Sequence, residues 1–546
     1  MSVIDYRGNI MQVPLGQASI VSDVSPAELT PGTLTRAINI EYGQGYLSKA
    51  PGAITYTRGT LSAAVVAVLD YWPTLYRQRT LAATADGKIY RDIGDRYFSG
   101  GNGTTSVAIA TGLGTLSNQC QFVIGGNETS GRDKKVFFFT GTQQVKVLAG
   151  DGTTFSNISN PAADWPNPTA TSNPSSNFPK FGLVHRGQLW AFAKSQAYAS
   201  TTVSHEDFQS TGTLVNNIGP GEGGDIIGAF VYKQKLIVFK EGDFCYILQD
   251  TDNSTTNWYF SKFGEGLGVS GVHAVCQAID DCLFGSSTNK VMTLEATFNY
   301  GNFEQGDVFK RAKVSEFFTR KTTTQATQQQ HALYYPDKGL ALFTNKTRGG
   351  TTNDCAIQID VSEPKNPKYG LWTHISPNCL GLRRDTNNVL RPMYGSANGH
   401  IYLLDREDRS VGPMGSGSGY TGEFWTSDFD MRHLDASLAH RNKQWDYLGV
   451  TFQDESTANL SVDVYIDGKF RETITFPMTV DTNYMGSAVM DTATFGGIGE
   501  KTVWQKIHGI GRRITFRCYN STNYQNFKVS MLSIGWRPSG EQATRI

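Results

Sequence analysis

A short glycine-rich stretch has the spacing that could hold a nucleotide phosphate. Residues 219–224 (GPGEGG) match the pattern G-x-G-x-x-G, which binds dinucleotides when it lies between a strand and the N-terminus of a helix. The apolar residues 226–230 (IIGAF) that follow indicate another strand instead. We therefore interpret the stretch as a turn between strands, and interpret residues 264–268 (GEGLG) in the same way.

Two adjacent carboxylate pairs could support acid–base chemistry of the kind that glycosidases use. They are Glu206-Asp207 and Asp280-Asp281. Such pairs are far more common as solvated residues of turns, and the sialidase-type box S-x-D-x-G-x-x-W is absent from the sequence. We therefore predict no catalytic role for either pair.

Histidine and cysteine give no metal-site pattern. The nine His are dispersed, no C-x-x-C pair occurs, and Cys276 and Cys282 lack a matching second pair. The seven Cys lie mostly in apolar, strand-like runs, which indicates buried free thiols rather than a disulfide framework. We expect no catalytic, cofactor-binding or metal-binding residues, no cofactor, and a protein that is not an enzyme.

Composition and charge narrow the class of protein. The 546 residues include 58 Gly and only 18% charged residues, which favours short strands and turns over long surface helices. Lys plus Arg and Asp plus Glu both number 49, whereas a dedicated nucleic-acid binder carries a basic excess. Residues 1–20 lack the apolar core of a signal peptide, and the apolar stretch 63–69 is too short to span a membrane.

Period-2 alternation predicts strands, most clearly near the C-terminus. Residues 460–466 (LSVDVYI) and 469–476 (KFRETITF) flank Asp467-Gly468, a pair typical of a tight β-hairpin. Residues 513–518 alternate in the same way. Phe527, Val529 and Met531 also alternate, but the phase slips before Ile534, which predicts a β-bulge.

A polar turn followed by a short apolar strand recurs seven times in the middle of the chain. The copies lie roughly 45 to 60 residues apart, close to the length of a four-stranded propeller blade, and they cover residues 86–90, 132–139, 185–190, 232–239, 280–284, 337–343 and 398–403. We predict an all-β chain with a central β-propeller of about six or seven blades. An irregular β-sandwich with similar hairpins is the alternative.

Composition also predicts the domain boundaries. Residues 160–179 are rich in Pro, Asn, Ser and Thr and indicate a loop, and residues 309–330 could hold a short helix. Five Gly within residues 412–422 indicate a linker. We predict an N-terminal arm and assembly segment (1–60), a propeller with insertions (61–411) and a C-terminal β-sandwich or jelly roll (412–546).

The N-terminal stretch resembles the opening of a known family. An acidic, Pro-containing segment at residues 23–32 is followed by A-x-N and then by G-x-L-x-x-x-P-G. This order is similar to that of the tail nozzle proteins of short-tailed bacteriophages, also described as tail hub or packaged-DNA-stabilising proteins. Residues 225–240 and 511–538 also resemble segments of those proteins. The family's usual Arg before Pro-Gly is replaced here by Ala50. The positions that match the family motif are Ala37, Asn39, Gly45, Leu47, Pro51 and Gly52.

The resemblance implies a structural virion protein rather than an enzyme. Such nozzles are homo-hexameric rings below the adaptor ring of the portal, with tail fibres or spikes attached around them. They act as a DNA conduit that retains the genome and then passes it during ejection. The expected location is the virion tail, after synthesis in the host bacterial cytoplasm. A near-neutral chain agrees with only transient, non-specific contact with DNA, because many phosphate contacts would grip it.

Two other functions remain open from the sequence. A propeller-based tail spike or glycan receptor-binding protein would place carboxylates and aromatic residues together on one face. A cellular propeller scaffold for protein partners would share the composition but not the genome neighbourhood of portal and capsid genes.

Overall fold

The structure of the chain is a computed structural model, and strands joined by short turns make up most of it. It describes residues 9–539 except 17–18, 75–76, 95–96, 99–107, 127–133, 164, 166–177, 223, 253, 267, 280, 287–289, 295–305, 324–328, 365, 386–387, 407–408, 413–416, 454–457 and 479–499. The prediction of an all-β chain is confirmed. Several predicted features lie partly outside the described residues, among them the loop at 160–179, the linker at 412–422 and one residue of the Asp280-Asp281 pair.

The N-terminal segment supplies short strands that pair with distant parts of the chain. They are β1 (Asn9–Pro14), β2 (Leu34–Ile38), β3 (Ile40–Tyr42), β4 (Leu47–Lys49) and β5 (Gly52–Thr55).

The middle of the chain folds into small antiparallel sheets, each built from strands that are consecutive in sequence. Sheet 1 contains β6 (Val65–Thr74), β7 (Arg77–Thr84), β8 (Lys88–Gly94) and β9 (Tyr97–Phe98). Sheet 2 contains β10 (Gln121–Gly126), β11 (Lys134–Phe139), β12 (Lys146–Ala149) and β13 (Ser156–Asn157). Sheet 3 contains β14 (Phe181–His185), β15 (Gln188–Ala193), β16 (Gln196–Ala199) and β17 (Leu214–Asn217). Sheet 4 contains β18 (Ile226–Tyr232), β19 (Lys235–Lys240), β20 (Phe244–Gln249) and β21 (Tyr259–Glu265).

Three further sheets complete this series. Sheet 5 contains β22 (Val275–Ala278), β23 (Asp281–Gly285) and β24 (Val291–Thr293). Helices α1 (Val308–Ala312) and α2 (Ser315–Lys321) follow, in the segment where a short helix was predicted. Sheet 6 contains β26 (Ala332–Tyr335), β27 (Leu340–Thr347), β28 (Cys355–Asp360) and β29 (Lys368–Trp372), with the short β25 (Thr322–Thr323) also paired to β27. Sheet 7 contains β30 (Cys379–Arg384), β31 (Leu390–Gly395), β32 (Ile401–Arg406), β5 from the N-terminal segment and β33 (Val411–Gly412).

Each small sheet packs its apolar face on the next one. Phe122 and Phe138 of sheet 2 join Leu81 of sheet 1 in one buried cluster, and comparable clusters lie between sheets 2 and 3, 3 and 4, and 4 and 5. Sheets 5 and 6 share part of the largest cluster, and sheets 6 and 7 share another. Sheet 7 in turn packs on sheet 1, where Met393 and Ile401 meet Val65 and Ala82.

The C-terminal region forms two facing sheets around the largest apolar cluster. Its strands are β34 (Gly422–Thr426), β35 (Lys443–Gln453), β36 (Ala458–Ile466), β37 (Lys469–Met478), β38 (Glu500–Gly511), β39 (Ile514–Asn520) and β40 (Lys528–Pro538). One sheet has the order β3-β4-β40-β35-β38, with β1 also paired to β40. The other has the order β34-β39-β36-β37 and continues through β2 into sheet 6, because Ile38 pairs with both Leu371 and Glu423. Strands from both sides of the predicted boundary at 412 therefore share one sheet.

The predicted C-terminal hairpin is confirmed. β36 and β37 pair from Ile466↔Lys469 outward, and Asp467 and Gly468 both adopt positive φ (51° and 76°), as a two-residue type I′ turn requires. The predicted bulge in β40 is also present, but it lies at Ser530, where the register against β35 shifts, rather than after Met531.

The seven repeated turns are not equivalent in the fold. In sheets 2 to 6 the turn joins the first and second strands, whereas in sheets 1 and 7 it joins the second and third. A hairpin turn has the same sequence preferences wherever it occurs in a sheet. The pattern therefore identifies turns but does not show which strands of the sheet they join.

Candidate functional site

Two of the six family-motif positions, Asn39 and Pro51, lie at a buried junction between the N-terminal segment, sheet 6 and the C-terminal sheets. Asn39 is its centre: it is buried with a positive φ of 54°, a conformation that Asn tolerates better than most residues. Its side-chain oxygen accepts hydrogen bonds from the backbone amides of Thr373 (2.7 Å) and His374 (3.2 Å), and it lies 2.9 Å from His374 Nδ1. Its side-chain nitrogen donates to the Thr421 carbonyl at 2.8 Å.

His374 links Asn39 to the motif proline, Pro51. Its Nε2 lies 3.0 Å from the Pro51 carbonyl oxygen, and its ring stacks on Tyr420 with centroids 4.2 Å apart. Burial lowers the pKa of His374 to about 3, and the nearby cations Lys49 and Arg409 lower it further against the hydrogen bond to Pro51, which raises it. The imidazole is therefore neutral at physiological pH, so it donates a hydrogen bond from only one of its two ring nitrogens, and its role here is structural.

Lys49 also belongs to this junction, where it contacts Thr522 and Tyr420. Its ammonium donates to the Thr522 carbonyl at 2.9 Å and lies 4.5 Å from the centre of the Tyr420 ring. The Tyr420 hydroxyl donates to the Ala50 carbonyl. Burial lowers the pKa of Lys49 to about 8. Gly422 is required beside it, since a Cβ there would lie 2.8 Å from Lys49 Cγ and 3.0 Å from the Asn39 carbonyl.

The other motif positions set strand pairing. Ala37 is fully buried opposite Phe424, and Leu47 is buried opposite Val529. Gly52 begins β5 and pairs with Arg406 in sheet 7. Gly45 forms a bridge with Gly16, where a Cβ on Gly16 would lie only 2.4 Å from the Gly45 Cα. All six motif positions therefore have structural roles, which tie the N-terminal segment to the rest of the chain.

A second buried polar cluster joins sheets that are far apart in sequence. Asn118, just before β10, donates to the Gln329 carbonyl (2.9 Å), and its own carbonyl lies 2.7 Å from His331 Nε2. His331 stacks on His273 with ring centroids 4.3 Å apart, and His273 Nε2 lies 2.9 Å from the Cys120 carbonyl oxygen. Burial lowers the pKa of His273 to about 4 and lowers that of His331 as well. Residues 117–120 lead into sheet 2 and contact residues that lie just before the first strands of sheets 5 and 6. We call residues 117–120 the crossing segment.

The glycine-rich stretch is a carbonyl-lined loop between sheets 3 and 4. The Lys240 ammonium donates to the carbonyls of Ile218 (3.0 Å), Gly219 (3.3 Å) and Glu222 (2.8 Å). A phosphate-binding loop instead points backbone N–H groups at its ligand. The strand β18 follows it, as the sequence indicated.

The described carboxylates of the two acidic pairs are engaged in structural contacts. Glu206 pairs with Lys135, and Asp207 accepts hydrogen bonds from the amides of Gln209 and Ser210 (both 3.1 Å). Burial of Glu206 raises its pKa, but the Lys135 contact outweighs this and leaves the pKa below its usual range. Asp281 accepts from the Cys282 amide at 2.7 Å.

All seven cysteines are buried and free. Burial raises the pKa of every one of their thiols, which keeps them protonated and poorly nucleophilic. Within the described part of the chain, no three His, Cys, Asp or Glu side chains come together as a metal site. No helix among the described residues is long and apolar enough to cross a membrane.

Two polar clefts were not indicated by the sequence. The larger, of about 1080 Å³, lies between the β3–β4 hairpin and sheet 6 and includes Tyr46, Tyr334 and Lys338. The smaller, of about 630 Å³, adjoins Asn39 and includes Arg36, Lys321, Arg348 and Arg517. The residues of each cleft come from distant parts of the chain, so no local spacing could have revealed either one.

Comparisons with known proteins do not indicate a family for this chain. No protein-family model matches the chain, and no curated protein sequence matches it. Among solved structures, a computationally designed protein, Ika8, is similar over 64% of this chain and 99% of its own, with 9% identity and a TM-score of 0.32. A likeness this weak carries no functional information.

Proposed function

We propose that the chain is a structural virion protein that forms the tail nozzle of a short-tailed bacteriophage. The observation that carries the proposal is the junction around Asn39, where two of the six positions that match the nozzle-family motif, Asn39 and Pro51, contact the same histidine. Asn39, Pro51 and their partners His374 and Tyr420 form one buried, hydrogen-bonded unit. The motif would then have a structural role, as expected for a structural protein.

Sheets 1 to 7 would be the seven blades of a β-propeller. The packing of each sheet on the next, including sheet 7 on sheet 1, supports this arrangement. So does β5, because a strand from the N-terminal side that completes the last sheet is a way to close a cyclic series. An irregular sandwich would leave the two terminal sheets each with a free apolar face.

The genome would pass through the centre of a homo-hexameric ring rather than through the propeller of one chain. The crossing segment supports this choice, because its buried Asn118 and Cys120 lie between sheets 2, 5 and 6, where their carbonyls contact the stacked, buried His331 and His273. Forcing DNA through it would break several buried hydrogen bonds. The other proposed partners are the adaptor ring on one side and tail fibres or spikes at the periphery.

Light scattering and negative-stain images of the purified protein test the ring. We expect a mass of six chains and hollow six-fold particles at the higher concentrations, dissociating on dilution. A monomer at every concentration, both alone and mixed with the purified adaptor ring, would overturn the nozzle proposal. The genes beside the coding sequence give an independent check, since portal and capsid genes should flank it.

For the glycan-binding alternative, the candidate site is the cleft of about 1080 Å³ that is lined by Tyr46 and Lys338, among others. Incubation with host surface glycans separates the two functions. Release of reducing sugar, or saturable glycan binding lost in Tyr46→Ala, would favour the spike over the nozzle.

A further inference from the structure

The smaller cleft concentrates positive charge from four separate elements. Arg36 lies on β2, Lys321 ends α2, Arg348 follows β27, and Arg517 lies on β39. The chain as a whole has no net charge, so this local excess is a feature of the fold and not of the composition.

Only part of this charge is neutralised within the chain. Glu423 is the carboxylate in the cleft wall, and it accepts from Arg36 Nη2 at 2.5 Å and from Arg517 Nη2 at 2.6 Å. Arg517 also reaches Asp463 at 3.2 Å. Among the described residues, no side chain accepts a hydrogen bond from Lys321 or Arg348. Arg36 Nε is buried and likewise has no acceptor in the described part of the chain.

Neighbouring cations in the cleft repel one another, and this repulsion lowers the pKa of two of them. Burial lowers the pKa of Arg36, and Arg517 lowers it further against the opposing effect of Glu423. Burial also lowers the pKa of Lys321, and Arg36 adds to this effect. Like charges that share a partly buried site destabilise each other until an anion joins them.

We propose that this cleft binds a phosphate group through Arg36, Lys321 and Arg348. Guanidinium forks match the oxygens of a phosphate in bidentate fashion, and an ammonium adds a point charge. Lys321 and Arg348 form no salt bridge with a carboxylate among the described residues, and these two cations match the double charge of a phosphate better than the single charge of a carboxylate. The site is independent of ring assembly, because all its residues belong to one chain.

The phosphate could be free or part of a nucleic-acid backbone, and two measurements distinguish these sources. Isothermal titration with inorganic phosphate at constant ionic strength measures the free anion. Fluorescence anisotropy with a labelled single-stranded or duplex oligonucleotide, over a series of salt concentrations, measures the backbone.

Two variants, Arg348→Gln and Lys321→Gln, each remove one cation of the cleft. Lys469→Gln on β37, a residue that does not line the cleft, removes one exposed surface charge as a control. We expect each cleft variant to weaken phosphate binding about 10-fold or more, as the loss of one charge-assisted hydrogen bond predicts, with Lys469→Gln unchanged. Loss of oligonucleotide binding in the same variants would assign the site to a nucleic-acid backbone. Unchanged oligonucleotide binding would assign it to free phosphate.

Several results would overturn the proposal. These are the absence of phosphate binding by the unmodified chain, an equal effect of all three variants, or binding of poly-glutamate without binding of phosphate. The thermal transition of each variant, followed by circular dichroism, should match that of the unmodified protein, because Lys321 and Arg348 support no other described side chain. A monomeric protein could still bind phosphate here, so failure of the nozzle proposal and failure of this one would be told apart.

Discussion

At the scale of single residues, the chain uses its polar side chains as buried connectors. Asn39 is the clearest example: one side chain bonds both to residues 373 and 374 and to residue 421. Polar groups placed this deeply are stable only when their hydrogen bonds are complete. Removing one connector should therefore cost far more than removing a surface hydrogen bond.

Asn39→Ala should destabilise the protein by about 3–5 kcal/mol. It leaves the Thr373 and His374 donors unsatisfied and places Ala at positive φ. Asn388→Ala is the matched control, since Asn388 also has a positive φ (61°) but is exposed, and it should cost about 1 kcal/mol. Denaturant unfolding measures both. Similar costs for the two variants would mean that the side-chain bonds of Asn39 add nothing beyond its backbone conformation.

Asp250 should make part of the stability dependent on acid. Its buried carboxylate receives His185 Nε2 (2.9 Å), Arg186 Nε (3.0 Å) and Lys235 Nζ (2.8 Å), which joins sheets 3 and 4. Burial alone would raise its pKa, but the hydrogen bonds from Lys235, His185 and Arg186 outweigh burial and lower the pKa to about 2.

Because the folded pKa lies below the unfolded value, this stabilisation is present above pH 4 and is lost as the pH falls toward 2. The loss should be about 2 kcal/mol. Asp250→Asn should be less stable at neutral pH and should lose less stability than the unmodified protein between pH 4 and 2. Parallel curves of unfolding free energy against pH for the two proteins would contradict this account.

At the scale of elements, local features were predictable from the sequence and long-range pairings were not. The β36–β37 hairpin follows from Asp467-Gly468 and its flanking alternation, all within one short stretch. The link between β2 and β29 rests on Ile38↔Leu371, two residues with no sequence signal that connects them. The repeated turns each join two strands of one small sheet, but the pattern did not show which strands of the sheet they join.

The bridge between Gly16, which follows β1, and Gly45, in the β3–β4 hairpin, allows a test at this scale. A side chain at Gly16 would clash with the neighbouring backbone, whereas a side chain at Gly45 would only have to adopt a positive φ. Gly16→Ala would place its Cβ 2.4 Å from the Gly45 backbone, so strands must separate. Gly45→Ala meets no atom within 4 Å and bears only the cost of its φ of +87°. We expect about 1 kcal/mol for Gly45→Ala and about 2–4 kcal/mol for Gly16→Ala, measured by thermal unfolding. The reverse order would mean that the backbones do not approach so closely.

At the scale of the whole molecule, the N-terminal segment is part of the core. It was predicted as an arm for assembly, yet β1 to β5 pair with β40, β34, β29 and β32 of the same chain. The resemblance of the six motif positions to the nozzle family stays a prediction. The junction between Asn39 and Pro51 could not be predicted from the sequence, because its partners His374 and Tyr420 have no counterpart in the motif.

A chain that begins at residue 57 should therefore fail to fold cooperatively. It would expose the open edges of β29, β34 and β40 and the apolar surface that Val13, Leu34 and Ile38 cover. Co-expression of residues 1–56 as a separate peptide should restore a soluble complex with a single thermal transition. If the shortened chain alone melts like the full one, the segment is an arm after all.

The pairing of β2 and β5 also sets an order of events during synthesis. Both strands leave the ribosome hundreds of residues before Leu371, Phe424 and Tyr402, the residues beside which they lie in the folded protein. At usual translation rates they wait roughly tens of seconds without a partner. Sheets 1 to 4 can form in the meantime, since each is built from consecutive strands. Completion of sheet 7 is deferred until β30 to β33 have been synthesised, and β2 has no partner until β29 and β34 have been, so the nascent protein carries unpaired strand edges for most of its synthesis.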